Sequence, residues 1–149
     1  MDPALDVFDI AVGTSFAHHD VDAQMMLVDS YPFYPSGVFS ADEKLLVAAR
    51  SVAESFERPV HFGAMASGEQ FVDDANRDGI VVRHNPISVD MESSSMAQVC
   101  FANGVAFISV RGVTDTAAHD GFGTYELNRD QASQDACVFV ERLIATYRA

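Results

Sequence analysis

The sequence contains no tryptophan, only two cysteines, and nine lysine and arginine residues against 22 aspartate and glutamate residues. The resulting net charge of −13 disfavours nucleic acid and anionic membrane surfaces as partners, because both are polyanions. No apolar run approaches the length of a membrane span, and the acidic start Met1–Asp6 lacks the apolar stretch of a secretory signal. The sequence therefore predicts a cytoplasmic protein that binds neither nucleic acid nor membrane.

Metal sites and cofactor motifs are also missing. Cys100 and Cys137 lie in apolar, helix-like contexts, which favours two buried reduced thiols over a disulfide or a metal pair. His18 and His19 are adjacent, so on an extended segment they point to opposite sides, and no third ligand lies at a telling spacing. Walker-type phosphate loops, CxxC pairs and Gly-x-Ser-x-Gly elbows do not occur. We expect no metal and no cofactor.

Apolar segments alternate between strand and helix character along the 149 residues, and this predicts one α/β domain, residues 1–149, with a largely parallel sheet. The predicted strands are Val7–Val12, Val60–Ala66, Ile87–Asp90 and Val105–Val110, with Met25–Val28 as a further candidate. The first predicted helix begins at a capping box, Ser40–Glu43, and ends near Arg58. Two further helices are predicted at Glu92–Ala102 and Tyr125–Tyr147. Asp73–Gly79 predicts a short helix or turn, and Tyr31–Gly37 and Ala117–Thr124 predict loops.

Two acidic residues follow predicted strands. Glu92 follows the strand Ile87–Asp90, and Asp115 follows the strand Val105–Val110. In open α/β sheets, ligands bind at the carboxyl ends of the strands. We therefore expect Glu92 and Asp115 at one edge of the sheet, an arrangement suited to binding and protonating a small polar ligand.

Four segments match a known family in their order and spacing. They are His19-Asp20-Val21-Asp22, Ser67-Gly68-Glu69-Gln70-Phe71-Val72, Val89-Asp90-Met91-Glu92 and Val110-Arg111-Gly112-Val113-Thr114-Asp115-Thr116-Ala117. Together they resemble the 5'-methylthioadenosine/S-adenosylhomocysteine nucleosidases of the nucleoside phosphorylase superfamily. The resemblance covers nearly the whole chain but only the carboxyl-terminal part of the family's domain. It implies a three-layer, nucleoside-phosphorylase-like mixed sheet flanked by helices, lacking the family's amino-terminal strands, in a single truncated domain.

The resemblance implies hydrolysis of the N-glycosidic bond of methylthioadenosine or S-adenosylhomocysteine with release of adenine. Asp115 would be the general acid, since adenine leaves as an anion unless a protonated group at purine N7 supplies a proton. Without the resemblance, Asp115 is better explained as a cap of the following turn. Glu92 would accept hydrogen bonds from the ribose 2'- and 3'-hydroxyls, and the alternative is a first-turn acid that interacts with the helix dipole.

The resemblance also implies a set of substrate contacts. Met91 would pack on the ribose face, Phe71 would stack on the purine, the backbone of Val72 would bind the base edge, Thr114 would orient Asp115, and Tyr125 would lie near the 5'-substituent. Met91 and Phe71 are equally explained as core residues, and Thr114 as a turn hydroxyl. Phe16 and His18 would contribute to the pocket of a neighbouring subunit.

Two other functions remain open on the sequence. One is a purine nucleoside phosphorylase, which uses phosphate in place of water, although the acidic balance leans against an anionic co-substrate. The other is a non-catalytic remnant that binds a nucleoside or a partner chain, because a sheet without its first strands exposes an unpaired edge and an apolar face. A homodimer or an association with a complementary chain is therefore expected.

Overall fold

The computed structural model describes residues 4–21, 37–116 and 121–148. Among these residues the strands are β1 (Ile10–His18), β2 (Val38–Ser40), β3 (Val60–Ser67), β4 (Ser88–Asp90) and β5 (Val110–Gly112), and the helices are α1 (Glu43–Ala53), α2 (Arg77–His84), α3 (Ser93–Ala102) and α4 (Gly121–Arg148). The candidate strand Met25–Val28 and residues 31–36 of the predicted loop lie outside the described residues. No helix in the described ranges is both long enough and apolar enough to cross a membrane.

The sheet is mixed and flanked by helices, as the resemblance implies. Its order is β2-β1-β3-β4, with β5 also paired to β1; β1, β3 and β4 are parallel, and β2 and β5 run antiparallel to β1. The expectation of a largely parallel sheet is therefore wrong for β5. Because Gly112 lies opposite Ile10, the carboxyl end of β5 lies at the amino end of β1, whereas β4 ends beside Ser67 at the carboxyl end of β3. Strand direction thus does not place Glu92 and Asp115 at a shared edge.

Strand β1 lies three residues later than predicted and continues to His18. Its pairing with β3 shifts register between Gly13 and Ser15, and such a bulge reverses which residues face each side of the sheet. A Cβ atom on Gly13 would lie 2.6 Å from Cζ of Phe16 and 2.9 Å from Sδ of Met65, so only glycine fits at this bend. The bulge directs Phe16 into the core.

Helices cover both faces of the sheet, which gives three layers. Before the bulge, Ile10 and Val12 point towards α1 and α4, whose contacting core residues are Leu46, Ala48, Ala49, Val52, Phe139 and Leu143. Ala11 and, after the bulge, Phe16 point to the opposite face, where they pack with Leu5, Phe39, Met65 and Ala97 of α3. This burial of apolar surface on both faces is the main stabilising contribution to the fold.

Several element boundaries differ from those predicted. Helix α1 is capped by Asp42, whose carboxylate accepts the backbone N–H groups of Lys44 and Leu45 at 2.9 and 3.0 Å; Ser40 belongs to β2, so the predicted capping box is wrong. Helix α1 ends at Ala53, α2 begins at Arg77 and α4 at Gly121. The thiol of Cys137 is exposed rather than buried, and that of Cys100 is half-buried.

The predicted bounds of the strand Val105–Val110 are wrong: the strand is Val110–Gly112 and shares only Val110 with the prediction. The preceding residues are attached on one side, where the carbonyl of Phe107 accepts the N–H of Asp42 and the carbonyl of Ser109 accepts the N–H of Gly13. Val105 is 56% exposed. Strand formation requires a partner along the whole segment, and β1 provides one only from Val12 back to Ile10.

Candidate functional site

A buried carboxylate organises the end of β4. Oδ1 of Asp90 accepts hydrogen bonds from Oγ of Ser67 at 2.5 Å and from the backbone N–H groups of Glu92 and Ser93 at 3.1 and 2.9 Å. Its Oδ2 accepts a bond from Oγ of Ser93 and lies 3.5 Å from Nε of Arg111. The side chain of Asp90 is only 6% exposed. Asp90 therefore supplies the acceptor for the first N–H groups of α3, which a helix cannot satisfy internally.

Because Asp90 performs the capping, the carboxylate of Glu92 is left available. Glu92 is the N-cap residue of α3 but makes no side-chain cap bond. Its carboxylate instead accepts a hydrogen bond from Nη2 of Arg111, and its side chain is 55% exposed. A planar guanidinium holds a carboxylate in a defined orientation, so Arg111 positions an accessible acid at the start of α3.

Buried serines connect this carboxylate cluster to the neighbouring elements. Oγ of Ser93 lies 2.7 Å from Oγ of Ser109, and Oγ of Ser67 accepts the N–H of Ser94 at 2.9 Å. β4 and the segment before β5 flank opposite sides of the β1–β3 pair, and Ser93, at the start of α3, bridges them through its contact with Ser109. Arg111 likewise reaches both acids at the end of β4.

Asp115 lies four residues beyond Arg111. Its Oδ1 accepts a hydrogen bond from Oγ1 of Thr114 at 2.7 Å, and Asn128 of α4 donates to the carbonyl of Thr114 at 3.0 Å. Within the described ranges, no hydrogen bond or ion pair joins Asp115 to Glu92. The contact expected between Thr114 and Asp115 is present, and it uses one of the two carboxyl oxygens of Asp115.

The predicted base and ribose contacts lie on the surface. Phe71 is 49% exposed and Met91 is 44% exposed, so the alternative explanation as core residues is wrong for both. Val72 is half-buried, and Tyr125 is 39% exposed near the beginning of α4. All four side chains are accessible enough to contact a ligand, and their roles stay predictions.

The predicted contribution of Phe16 to a neighbouring subunit is wrong. Its ring is fully buried and packs edge-to-face on Phe107, with the ring centroids 5.0 Å apart. His18 is half-buried, and its Nε2 lies 3.0 Å from Oε1 of Gln98 on α3. A side chain enclosed in its own core cannot reach another subunit.

The sequence did not assign roles to the residues that hold the site together. Ser67, Asp90 and Arg111 belong to the quoted motifs but were given no role, and Ser93 and Ser109 lie outside those motifs. The one local signal is a carboxylate three residues before a helix-opening serine, which is the spacing of a cap that bonds the helical N–H groups.

His84, at the end of α2, makes the stability of the fold depend on pH. Burial is the main cause that lowers the pKa of His84 below its ordinary value of 6.5, with the nearby Arg83 and His19 acting in the same direction. The unfolded chain therefore binds a proton more readily, so below pH 6.5 His84 reduces stability, and this loss disappears as the pH rises.

We expect the His84→Gln variant to lose less stability than the wild type on acidification. Urea unfolding midpoints measured on both sides of pH 6.5 give the comparison. Parallel pH dependences for the two proteins would contradict the assignment to His84.

Comparison with known proteins identifies the family. The profile of the phosphorylase superfamily matches residues 1–145. A 5'-methylthioadenosine/S-adenosylhomocysteine nucleosidase of Bacillus pumilus (strain SAFR-032) is 34% identical over 145 residues, covering 94% of this chain and 62% of its own length. The chain thus spans about three-fifths of this relative.

Comparison with solved structures identifies the same kind of protein. A structure from Borrelia burgdorferi B31 bound to adenine superposes with a TM-score of 0.86 and 26% identity, over 97% of this chain and 63% of its own. The nucleosidase of Neisseria meningitidis in complex with methylthio-immucillin-A superposes with a TM-score of 0.81 and 28% identity. The superposition covers 95% of this chain and 63% of that protein. The resemblance noted in the sequence is confirmed, and the chain belongs to the phosphorylase superfamily.

Proposed function

We propose that this chain forms the nucleoside-binding and base-protonating part of a purine nucleosidase that hydrolyses methylthioadenosine or S-adenosylhomocysteine and releases adenine. The proposal is supported by the nucleosidase name of the Bacillus pumilus relative and by the adenine bound to the Borrelia burgdorferi structure. The observation that carries it is the Arg111–Glu92 pair, because Arg111 lies on the strand that leads directly to Asp115.

Each side chain then has a chemical task. The exposed carboxylate of Glu92, held by Arg111, accepts hydrogen bonds from the ribose hydroxyls. Asp115, oriented by Thr114, donates a proton to purine N7 as the glycosidic bond breaks, so that adenine leaves as a neutral molecule. Phe71, which is half exposed, stacks its aromatic ring on the base.

The remaining substrate contacts are assigned by the same resemblance. Met91 packs on the ribose face, the backbone of Val72 binds the base edge, and Tyr125 lies towards the 5'-substituent. The 44% exposure of Met91 and the 39% exposure of Tyr125 are compatible with ligand contact.

A complementary chain or a second copy of this chain would supply the group that activates water. The chain spans 62% of the Bacillus pumilus relative, and among the described residues β5 pairs on one side only. A cavity of about 250 Å³ lies beside this free side, lined by Ile108 and Val110 and by Val140 and Leu143 of α4. An open strand edge next to an apolar cavity favours the addition of another strand.

The same edge supports a second candidate function, a nucleoside-binding chain without turnover of its own. Among the described residues β5 pairs on one side only, and a strand edge of this kind can bind another chain without any catalysis. A phosphorylase remains the other enzymatic alternative, since the matching profile is that of the phosphorylase superfamily.

Adenine release from methylthioadenosine, measured with and without phosphate, tests the proposal. We expect release without phosphate, and the Glu92→Gln variant should lower kcat/KM by roughly 10- to 100-fold, since a hydrogen bond to a charged group contributes about 1.5–3 kcal/mol. Glu141→Gln, an exposed acid on α4, is the matched control and should behave as wild type.

The outcomes separate the candidates. Release that requires phosphate would show a phosphorylase. Folded protein that binds adenine without releasing it from methylthioadenosine would show a binding chain, and folded protein that does neither would exclude a nucleoside-binding role. Equal losses in Glu92→Gln and Glu141→Gln would contradict the role of Glu92.

A further inference from the structure

Two residues that follow β1 bind the turn that follows β3. The β1–β3 ladder ends where His18 pairs with Ser67. Beyond it, the N–H of His19 donates to the carbonyl of Ser67 at 2.9 Å, and Oδ2 of Asp20 accepts the N–H of Glu69 at 2.6 Å. The attachment between the two strands therefore continues into the turn, with a charged acceptor as its last member.

The ring of His19 fills the space beside this turn. His19 is 4% exposed, and a Cβ atom added to Gly68 would lie 2.5 Å from its Nε2 and 2.7 Å from Cγ of Asp20. Glycine is required at position 68 because the imidazole and the carboxylate occupy the place of a side chain. Nε2 of His19 has no hydrogen-bond partner among the described residues, so the ring is held by packing.

The turn is also attached from its other side. The N–H of Gly68 donates to the carbonyl of Asp90 at 3.2 Å, and Asp90 is the residue that caps α3. Phe71 follows three residues later, and its carbonyl accepts a bond from Nδ2 of Asn76 at 3.1 Å within the same loop. The Asn76 bond lies within the loop, whereas the bonds of Gly68 and Glu69 fix the point at which the loop leaves the sheet, two residues before Phe71.

We propose that His19 and Asp20 are positioning residues for the base-binding aromatic Phe71. They hold the Gly68–Glu69 turn, which lies just before the half-exposed Phe71. The inference rests on the proposed function, because it takes the ligand of Phe71 to be a purine. It explains the adjacent histidine and aspartate without a metal ion.

The first test compares Asp20→Ala with Asp20→Asn. Asparagine retains an oxygen that can accept the N–H of Glu69, whereas alanine does not. We expect Asp20→Ala to weaken adenine binding roughly tenfold by calorimetry and to raise KM with kcat little changed, since base contacts act equally on the ground state and the transition state. Asp20→Asn should remain within about threefold of wild type, and Asp78→Ala, an exposed acid on α2, is the control.

The second test uses the packing of His19 against Gly68. Gly68→Ala places a methyl group against the imidazole and should weaken adenine binding, whereas the double variant Gly68→Ala/His19→Ala removes the ring and should recover part of that loss. Amide hydrogen exchange at Glu69 should accelerate in Asp20→Ala and not in Asp78→Ala, which reports on the turn without any ligand.

The results distinguish this inference from the proposed function. Wild-type protein that binds no adenine would overturn both. Wild-type protein that binds adenine, with Asp20→Ala, Asp20→Asn and Asp78→Ala all equal to it, would overturn the positioning role alone. A fall in thermal stability without a selective change in adenine affinity would show that His19 and Asp20 serve the fold only.

Discussion

Replacement of Asp115 by asparagine is expected to lower kcat for adenine release by about 10²- to 10⁴-fold, the range for the loss of a general acid. Asparagine has nearly the same shape and can still accept the hydrogen bond that Thr114 donates at 2.7 Å, but it has no proton to give to purine N7. Adenine would then have to leave as an anion. The measurement is the rate of adenine release at saturating methylthioadenosine, with adenine affinity and Tm determined on the same samples.

Two control variants separate proton donation from other effects. Asp130→Asn makes the same chemical change at a residue of α4 whose side chain is 94% exposed, and it should retain wild-type kcat. Thr114→Val removes the hydroxyl that orients Asp115 and should lower kcat by roughly tenfold, the upper end of the range for one hydrogen bond to a neutral group. A loss in Asp115→Asn no larger than that in Thr114→Val would show that Asp115 is not the proton donor.

The sequence predicted the helices and parallel strands well where local pattern determines them. Helix α3 and strands β3 and β4 lie within one residue of their predicted bounds. Strand direction and the bulge in β1 were missed, because alternation of apolar residues carries no direction and a single inserted residue reverses the faces. The role of Phe16 was implied by the family resemblance and not by the alternation of faces, and the burial of its ring in the core contradicts that role.

The sequence predicted the exposed residues of the candidate site but not the buried residues that hold them in place. Glu92, Phe71 and Met91 were found by motif, and all three are accessible in the structure. The buried support comes from residues far apart in the chain: Ser67 reaches Asp90 across 23 residues, and Ser93 reaches Ser109 across 16. Pairings at these separations depend on how the strands and helices pack together, and no short segment of sequence encodes that packing.

Replacement of Asp90 by alanine is expected to lower the free energy of unfolding by about 3 kcal/mol, because Arg111, Ser67 and the first N–H groups of α3 lose their common acceptor. This is the lower end of the range for breaking a buried ion pair, since the side chain of Arg111 is 39% exposed and water can solvate it. Domains of this size are marginally stable, so the change would be a large fraction of the total. Urea unfolding gives the measurement.

Asp90→Asn distinguishes charge from hydrogen bonding, because its remaining oxygen can still accept bonds from Ser67 and from α3. It should cost about 1–2 kcal/mol, roughly half the effect of alanine. Asp74→Ala, at a side chain that is 93% exposed, should change stability by less than about 0.5 kcal/mol. If Asp90→Ala were no more destabilising than Asp74→Ala, the buried cluster would contribute nothing to the fold. The accessible position of Glu92 would then have to depend on Arg111 alone.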